Sequence, residues 1–164
     1  MIHSIKNFIA YFTSVRKRTL NYARVVPIDR IDWSPQEGEF TCADILRHIA
    51  AGERMFVGLA TQGKWKYDGH GGDQPSLNEL IAHLDRTHRE AMSALHFLPD
   101  SELDQLRTAL EGDAQLPVWR WFMAMVEHEI HHRSQLAMYL LLIGIKPPHI
   151  YGLGVEDLIA KATG

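Results

Sequence analysis

The seven prolines of this 164-residue chain all fall outside, or at the first turn of, four stretches whose apolar residues recur at helical spacing. Proline lacks a backbone donor and clashes with the preceding helical turn, so these positions cut the chain into helical segments. The first runs from about Ser4 to Tyr22, with Ile5, Phe8, Ile9, Phe12 and Val15 as its stripe. Pro27, Pro35 and Gly38 break it. The second starts at "TCAD", where Thr41 and Asp44 have capping-box spacing, and its stripe is Ile45, His48, Ile49, Gly52, Phe56 and Leu59. The glycine-rich "TQGKWKYDGHGGDQP" follows as a loop. The third begins at Ser76 with Glu79 at the box position; Leu77, Leu80, Ile81, Leu84, His88, Ala91 and Leu95 mark its inner side, and Pro99 ends it.

Residues 100–116 read as irregular, with a short helix at "SELDQL". Pro117 suits the first turn of the fourth helix, which Gly144, Pro147 and Pro148 stop after about Ile143. "VEDLIAKAT" reads as a short tail helix. Four amphipathic segments with no repeat and no linker specify an all-α fold: a four-helix bundle with long connections and a short C-terminal helix, one domain over residues 1–164.

The stretch "VEHEIHHRSQL" on the fourth helix carries the chemistry. Its apolar face reads Trp121, Met125, His128, His132, Leu136 and Tyr139, so His128 and His132 lie one turn apart on one side. His48 repeats the situation on the second helix. Packed helices approach to about 8–10 Å, which lets His48 complete a three-imidazole site for zinc or nickel with a position left for water or substrate. The bland alternative is three hydrogen-bonded core histidines, but two imidazoles on one apolar face cannot easily satisfy all their nitrogens.

Two other patterns overlap. "HEIHH" is formally a zinc-protease motif with Glu129 as base, but the longer form is absent and Glu129 falls about 100° round from His128. Glu129-x-x-His132 with Asp85-x-x-His88 is di-iron-like, yet Asp44 sits near a cap and Glu53 falls off the stripe. His131 falls to the side, an alternative ligand if the helix is rotated; His88 reads as a neighbour of the site. Cys42, the single cysteine, sits in a first turn where the helix dipole could lower its pKa, although a buried inert thiol is the plainer reading.

"DWSPQEGEFTCADILRHIAAGERMF", followed much later by "VEHEIHHRSQLAMYLLLIGIKPP", resembles the DinB-like superfamily. The specific part is the helix-two histidine with His-x-x-x-His and the adjoining Arg-x-Gln-Leu; Ser134 departs from the glycine common in relatives. The resemblance implies a bundle holding one divalent metal on His48, His128 and His132, and often a homodimer. Among similar proteins are metal-dependent transferases and isomerases that use a low-molecular-weight thiol.

A net charge of -3, with Arg16-Lys17-Arg18 as the only basic run, offers no footprint for nucleic acid; that run reads as a solvated helix face. No segment has signal-peptide order or the length to span a membrane. The expectation is a cytoplasmic protein with a small-molecule substrate: a thiol S-transferase on small electrophiles, a metal hydrolase using Glu53 or Glu129 as base, or a non-catalytic metal-binding bundle.

Overall fold

The structure is a computed structural model that describes residues 2–72 and 76–162. Five α-helices, α1 (Ile5–Ala23), α2 (Cys42–Gln62), α3 (Leu77–His96), α4 (Val118–Leu142) and α5 (Val155–Ala162), account for most of it. Helix starts follow the caps: the Ser4, Thr41 and Ser76 hydroxyls each accept from the backbone N–H three residues on, and the latter two complete capping boxes with Asp44 and Glu79. Pro117 precedes α4 as its N-cap instead of occupying its first turn. The loop reading at 73–75 and the tail-helix reading at Thr163 lie outside the described residues.

Two apolar clusters define the helix directions. Leu20, Ile45, Leu80 and Leu136 share one; Phe8, Phe56, Leu95 and Phe122 share the other. The end of α1 therefore meets the starts of α2 and α3 and the end of α4. α1 and α4 run one way, α2 and α3 the other, with α1 and α2 each packed on both α3 and α4. Parallel neighbours cannot be joined by a tight turn. The chain after Gln62 must travel back along α2, whose 21 residues span roughly 30 Å. Trp65 stacks edge-on against Phe56, Tyr67 reaches His48, and the His70 carbonyl accepts from Arg47 Nε at 2.7 Å. The crossover so descends α2 turn by turn.

Residues 100–117 are more ordered than the sequence suggests. A 3₁₀ turn covers Asp100–Asp104, and Leu106–Thr108 (β1) pairs antiparallel with Gln115–Pro117 (β2). Three-residue strands are too short to show a period.

Between the apolar clusters lies a polar waist to which all four long helices contribute. Arg16 and Thr19 (α1), Glu53 (α2), His88 (α3), and Glu129 and Arg133 (α4) are all buried there. Arg16 Nη2 donates to Glu53 at 2.8 Å and to Glu129 at 2.9 Å, its Nε donates to Glu129, and its Nη1 donates to the Leu84 carbonyl. Thr19 donates to Glu129 at 2.6 Å, and His88 Nδ1 meets Glu53 at 2.8 Å. Burial alone would lower the Arg16 pKa, but Glu129 and Glu53 together raise it. This corrects the reading of Arg16 as a solvated residue and of Glu53 and Glu129 as lying off the inner faces. Each is 1% exposed, because a partner on another helix neutralises it.

Candidate metal centre

His48 leaves α2 in its second turn, directly opposite the middle of α4. Gly52, one turn on, removes the side chain that would keep the helices apart: a Cβ there would stand 2.9 Å from His128 Nδ1 and 3.1 Å from its Nε2, and closer still to Cε1. The His128 ring lies in that gap. His128 and His132 occupy one edge of α4's buried face, whose centre is Met125, Glu129 and Leu136. All three imidazoles are consequently half-buried rather than sealed in.

The rings face one another. His48 Nε2 and His128 Nε2 are 3.0 Å apart, and the His132 ring centre is 4.4 Å from that of His48 and 4.6 Å from that of His128. One nitrogen from each falls within 4.8 Å of the others. Nitrogens sharing one tetrahedral ion with bonds of about 2.0–2.1 Å stand roughly 3.3 Å apart, so this spacing suits a small divalent cation. The outer nitrogens suit one as well. His132 Nδ1 lies 3.0 Å from Gln135 Oε1, which can only accept, so Nδ1 carries the proton and Nε2 is left with its lone pair. Gln135 is held by its Nε2 donating to the Tyr139 hydroxyl at 3.3 Å. His48 Nδ1 lies 2.6 Å from the Tyr67 hydroxyl.

Protonation would spoil the site, and the surroundings oppose it. Burial, then the nearby His132, His70 and His131, lower His48 to about 4. Burial, then His132, His48, His131 and Arg16, lower His128 to about 3. His132 shifts the same way, chiefly by burial. Three neutral imidazoles at neutral pH are ligands without prior loss of protons.

Below about 6.5 the unfolded chain binds protons that the folded site refuses, so stability is lost as pH falls from there toward 4. The metal-free protein is expected to show a lower denaturation midpoint at about pH 5 than at about pH 7.5, and His48→Gln/His128→Gln a smaller drop. Equal drops in both proteins would contradict this origin.

The remaining sequence candidates sort cleanly. His131 is exposed beside His132, their ring centres 4.8 Å apart. His88 belongs to the waist, between Glu53 and Thr13. Asp85 is partly exposed and pairs with Arg89, so no di-iron carboxylate set forms on α3. Glu129 has both oxygens on Arg16 and one on Thr19, turned from the imidazoles that a protease base would serve. Cys42 is fully buried and burial pushes its thiol up to about 11, the opposite of activation. Sequence reasoning missed Tyr67, His70 and Phe40, which cover the imidazoles from loops: the Phe40 ring centre is 5.2 Å from His48 and 4.5 Å from His70. No periodicity marks loop residues.

Among the described residues no helix is long and apolar enough to cross a membrane. A family model described as the DinB superfamily matches residues 11–136. A crystal structure of a DinB-like protein from Bacillus subtilis superposes with a TM-score of 0.71 at 21% identity, covering 88% of this chain and 96% of that one. Another, of a DinB-like protein from Bacillus cereus, gives 0.74 at 19% identity, covering 91% and 99%. No curated protein matches the chain.

Proposed function

The chain belongs to the DinB superfamily, and from that premise we propose that it is a metal-dependent enzyme that joins a low-molecular-weight thiol to a small electrophile. His48, His128 and His132 would hold one divalent ion, zinc or nickel. The observation that carries this reading is the cluster itself: three imidazoles converge, half-buried, with one nitrogen each within 4.8 Å of the others. A wholly structural site is usually closed by a fourth protein ligand; the partial exposure of all three rings supports an open position.

A divalent ion in such a site lowers the pKa of a thiol or water at its open position. The protein's own part is to keep the imidazoles neutral and aimed, through burial, Gln135 and the helix packing at Gly52. Reaction would transfer the thiol proton to the product: the sulfur–carbon bond forms as an epoxide carbon–oxygen bond opens, and the oxygen takes the proton. The hydrolase alternative needs a free carboxylate base. Glu53 and Glu129, the candidates for that role, are both committed to Arg16, which favours the thiol reading. Met123, Ile130, Met138 and Leu141, exposed along α4, support the homodimer that the family likeness implies.

The test begins with metal content of untagged protein purified without chelator. About one equivalent is expected in the wild type, with loss in His48→Ala. Loaded protein is then screened for consumption of small thiols with epoxides and conjugated alkenes. Metal binding without any thiol activity, together with melting on metal removal, would favour a non-catalytic bundle instead.

A further inference from the structure

We propose that Tyr67, on the crossover between α2 and α3, is the positioning residue for His48, and that His70 completes its hydrogen-bond chain. This inference rests on the three-histidine reading. The Tyr67 hydroxyl stands 2.6 Å from His48 Nδ1 and 2.7 Å from His70 Nδ1, bridging the two rings. One hydroxyl has one proton to give, so it cannot donate to both rings, and a bond donated to one must be matched by a bond accepted from the other.

Loading of the site selects the sense in which the two bonds run. When His48 Nε2 presents its lone pair inward, its proton resides on Nδ1, which donates to the Tyr67 oxygen; Tyr67 in turn donates to His70 Nδ1. The opposite sense places the His48 proton on Nε2, pointing at His128 Nε2 across 3.0 Å, where an ion would have to sit. Without an ion both senses are available, because either histidine can donate across that gap. The chain through Tyr67 thereby orients the His48 ring and accommodates its ligand tautomer once an ion is bound, whereas Gln135 fixes that of His132 outright, and His128 has no comparable partner among the described residues.

Topology makes the arrangement more than a chance contact. The crossover is obliged to run beside α2, and residues 67–70 arrive level with Arg47 and His48. There the His70 carbonyl is tied to Arg47 Nε at 2.7 Å, and Arg47 Nη2 is tied in turn to Asp44 at 2.7 Å. The His70 ring is further braced by Phe40. A tyrosine that is itself 42% exposed adds little to the core, so its two hydrogen bonds to histidine stand out as its contribution.

The experiment compares wild type, Tyr67→Phe and His70→Ala as full-length protein. Zinc affinity is measured by chelator competition, the cobalt-substituted site by its visible ligand-field spectrum, and the metal-free fold by thermal melting. Phenylalanine keeps the ring against His48 and removes only the hydroxyl. Tyr67→Phe is expected to weaken zinc binding about 10–100-fold, the range for loss of a ligand's hydrogen-bond partner, with an altered cobalt spectrum and an unchanged metal-free melting temperature. His70→Ala is expected to weaken it less, since the first bond survives. Affinity within about twofold of wild type in Tyr67→Phe, or a loss matched by destabilisation of the metal-free protein, would overturn the proposal. A wild type that binds neither zinc nor cobalt would instead overturn the three-histidine reading beneath it.

Discussion

Arg16→Met is expected to destabilise the protein by about 3–5 kcal/mol, the usual cost of removing one partner from a buried ion pair. Arg16 uses Nε, Nη1 and Nη2 inside the waist, and Glu53 and Glu129 are both 1% exposed, so neither carboxylate can turn to water without opening a helix interface. Arg133 does not take over: its Nη1 donates to the Val15 carbonyl, and among the described residues it makes no ion pair, feeling Glu129 only beyond contact distance. Folded domains have about 5–15 kcal/mol in total, so the variant loses a large share and should melt roughly 6–20 °C lower. Lys17→Met, one residue on and exposed, should change stability by no more than about 0.5 kcal/mol. Denaturant titration of the two variants checks the contrast. A loss under about 1 kcal/mol for Arg16→Met would mean that the waist relaxes or hydrates. Adding Glu53→Gln and Glu129→Gln should recover part of the loss, since neutral amides cost less to bury than unpaired charges.

The Arg16 misreading shows where sequence legibility stops. Helix starts were legible because a cap is a local bargain between residues three apart, as at Thr41 with Asp44 and Ser76 with Glu79. The three histidines were legible because helical spacing singles out inner positions. A buried charge is different: its burial depends on a partner that sequence does not place nearby, here 37 residues away for Glu53 and 113 for Glu129. A weak signal existed, since Arg16 continues the series Phe8, Phe12 at intervals of four and Glu129 falls between Met125 and Arg133 in the same way. Charge outweighed position in that reading. Tyr67 and His70 had no such signal. Their place beside His48 follows from α2 and α3 being parallel, a property of the assembled bundle.

Gly52→Ala is expected to separate metal binding from folding. Glycine in a helix interior costs about 1 kcal/mol relative to alanine, so the substitution should improve α2 taken alone. The added methyl, however, enters the space of the His128 ring, with Nδ1 and Nε2 at 2.9 and 3.1 Å from the new atom. The helix backbones are fixed by Ile49 and Phe56 on either side, whereas a half-buried ring at the edge of the α4 face can swing outward. His128 therefore yields, and its Nε2 leaves the position facing His48. A ligand set must be held to within about 0.5 Å to function, so zinc affinity should fall by at least about 100-fold, while the melting temperature changes by only a few degrees (about 1 kcal/mol either way). Gly58→Ala supplies the contrast within the same helix. A Cβ there meets only the Lys64 carbonyl, at an ordinary 3.8 Å, so it should gain the helix propensity and keep the metal. Chelator competition and melting on both variants decide the matter. Full zinc affinity in Gly52→Ala would show that metal binding does not depend on the His128 ring lying in the Gly52 gap, and would overturn this account of the site. Unfolding of Gly52→Ala would show that the α2–α4 approach, not the ring, is what yields.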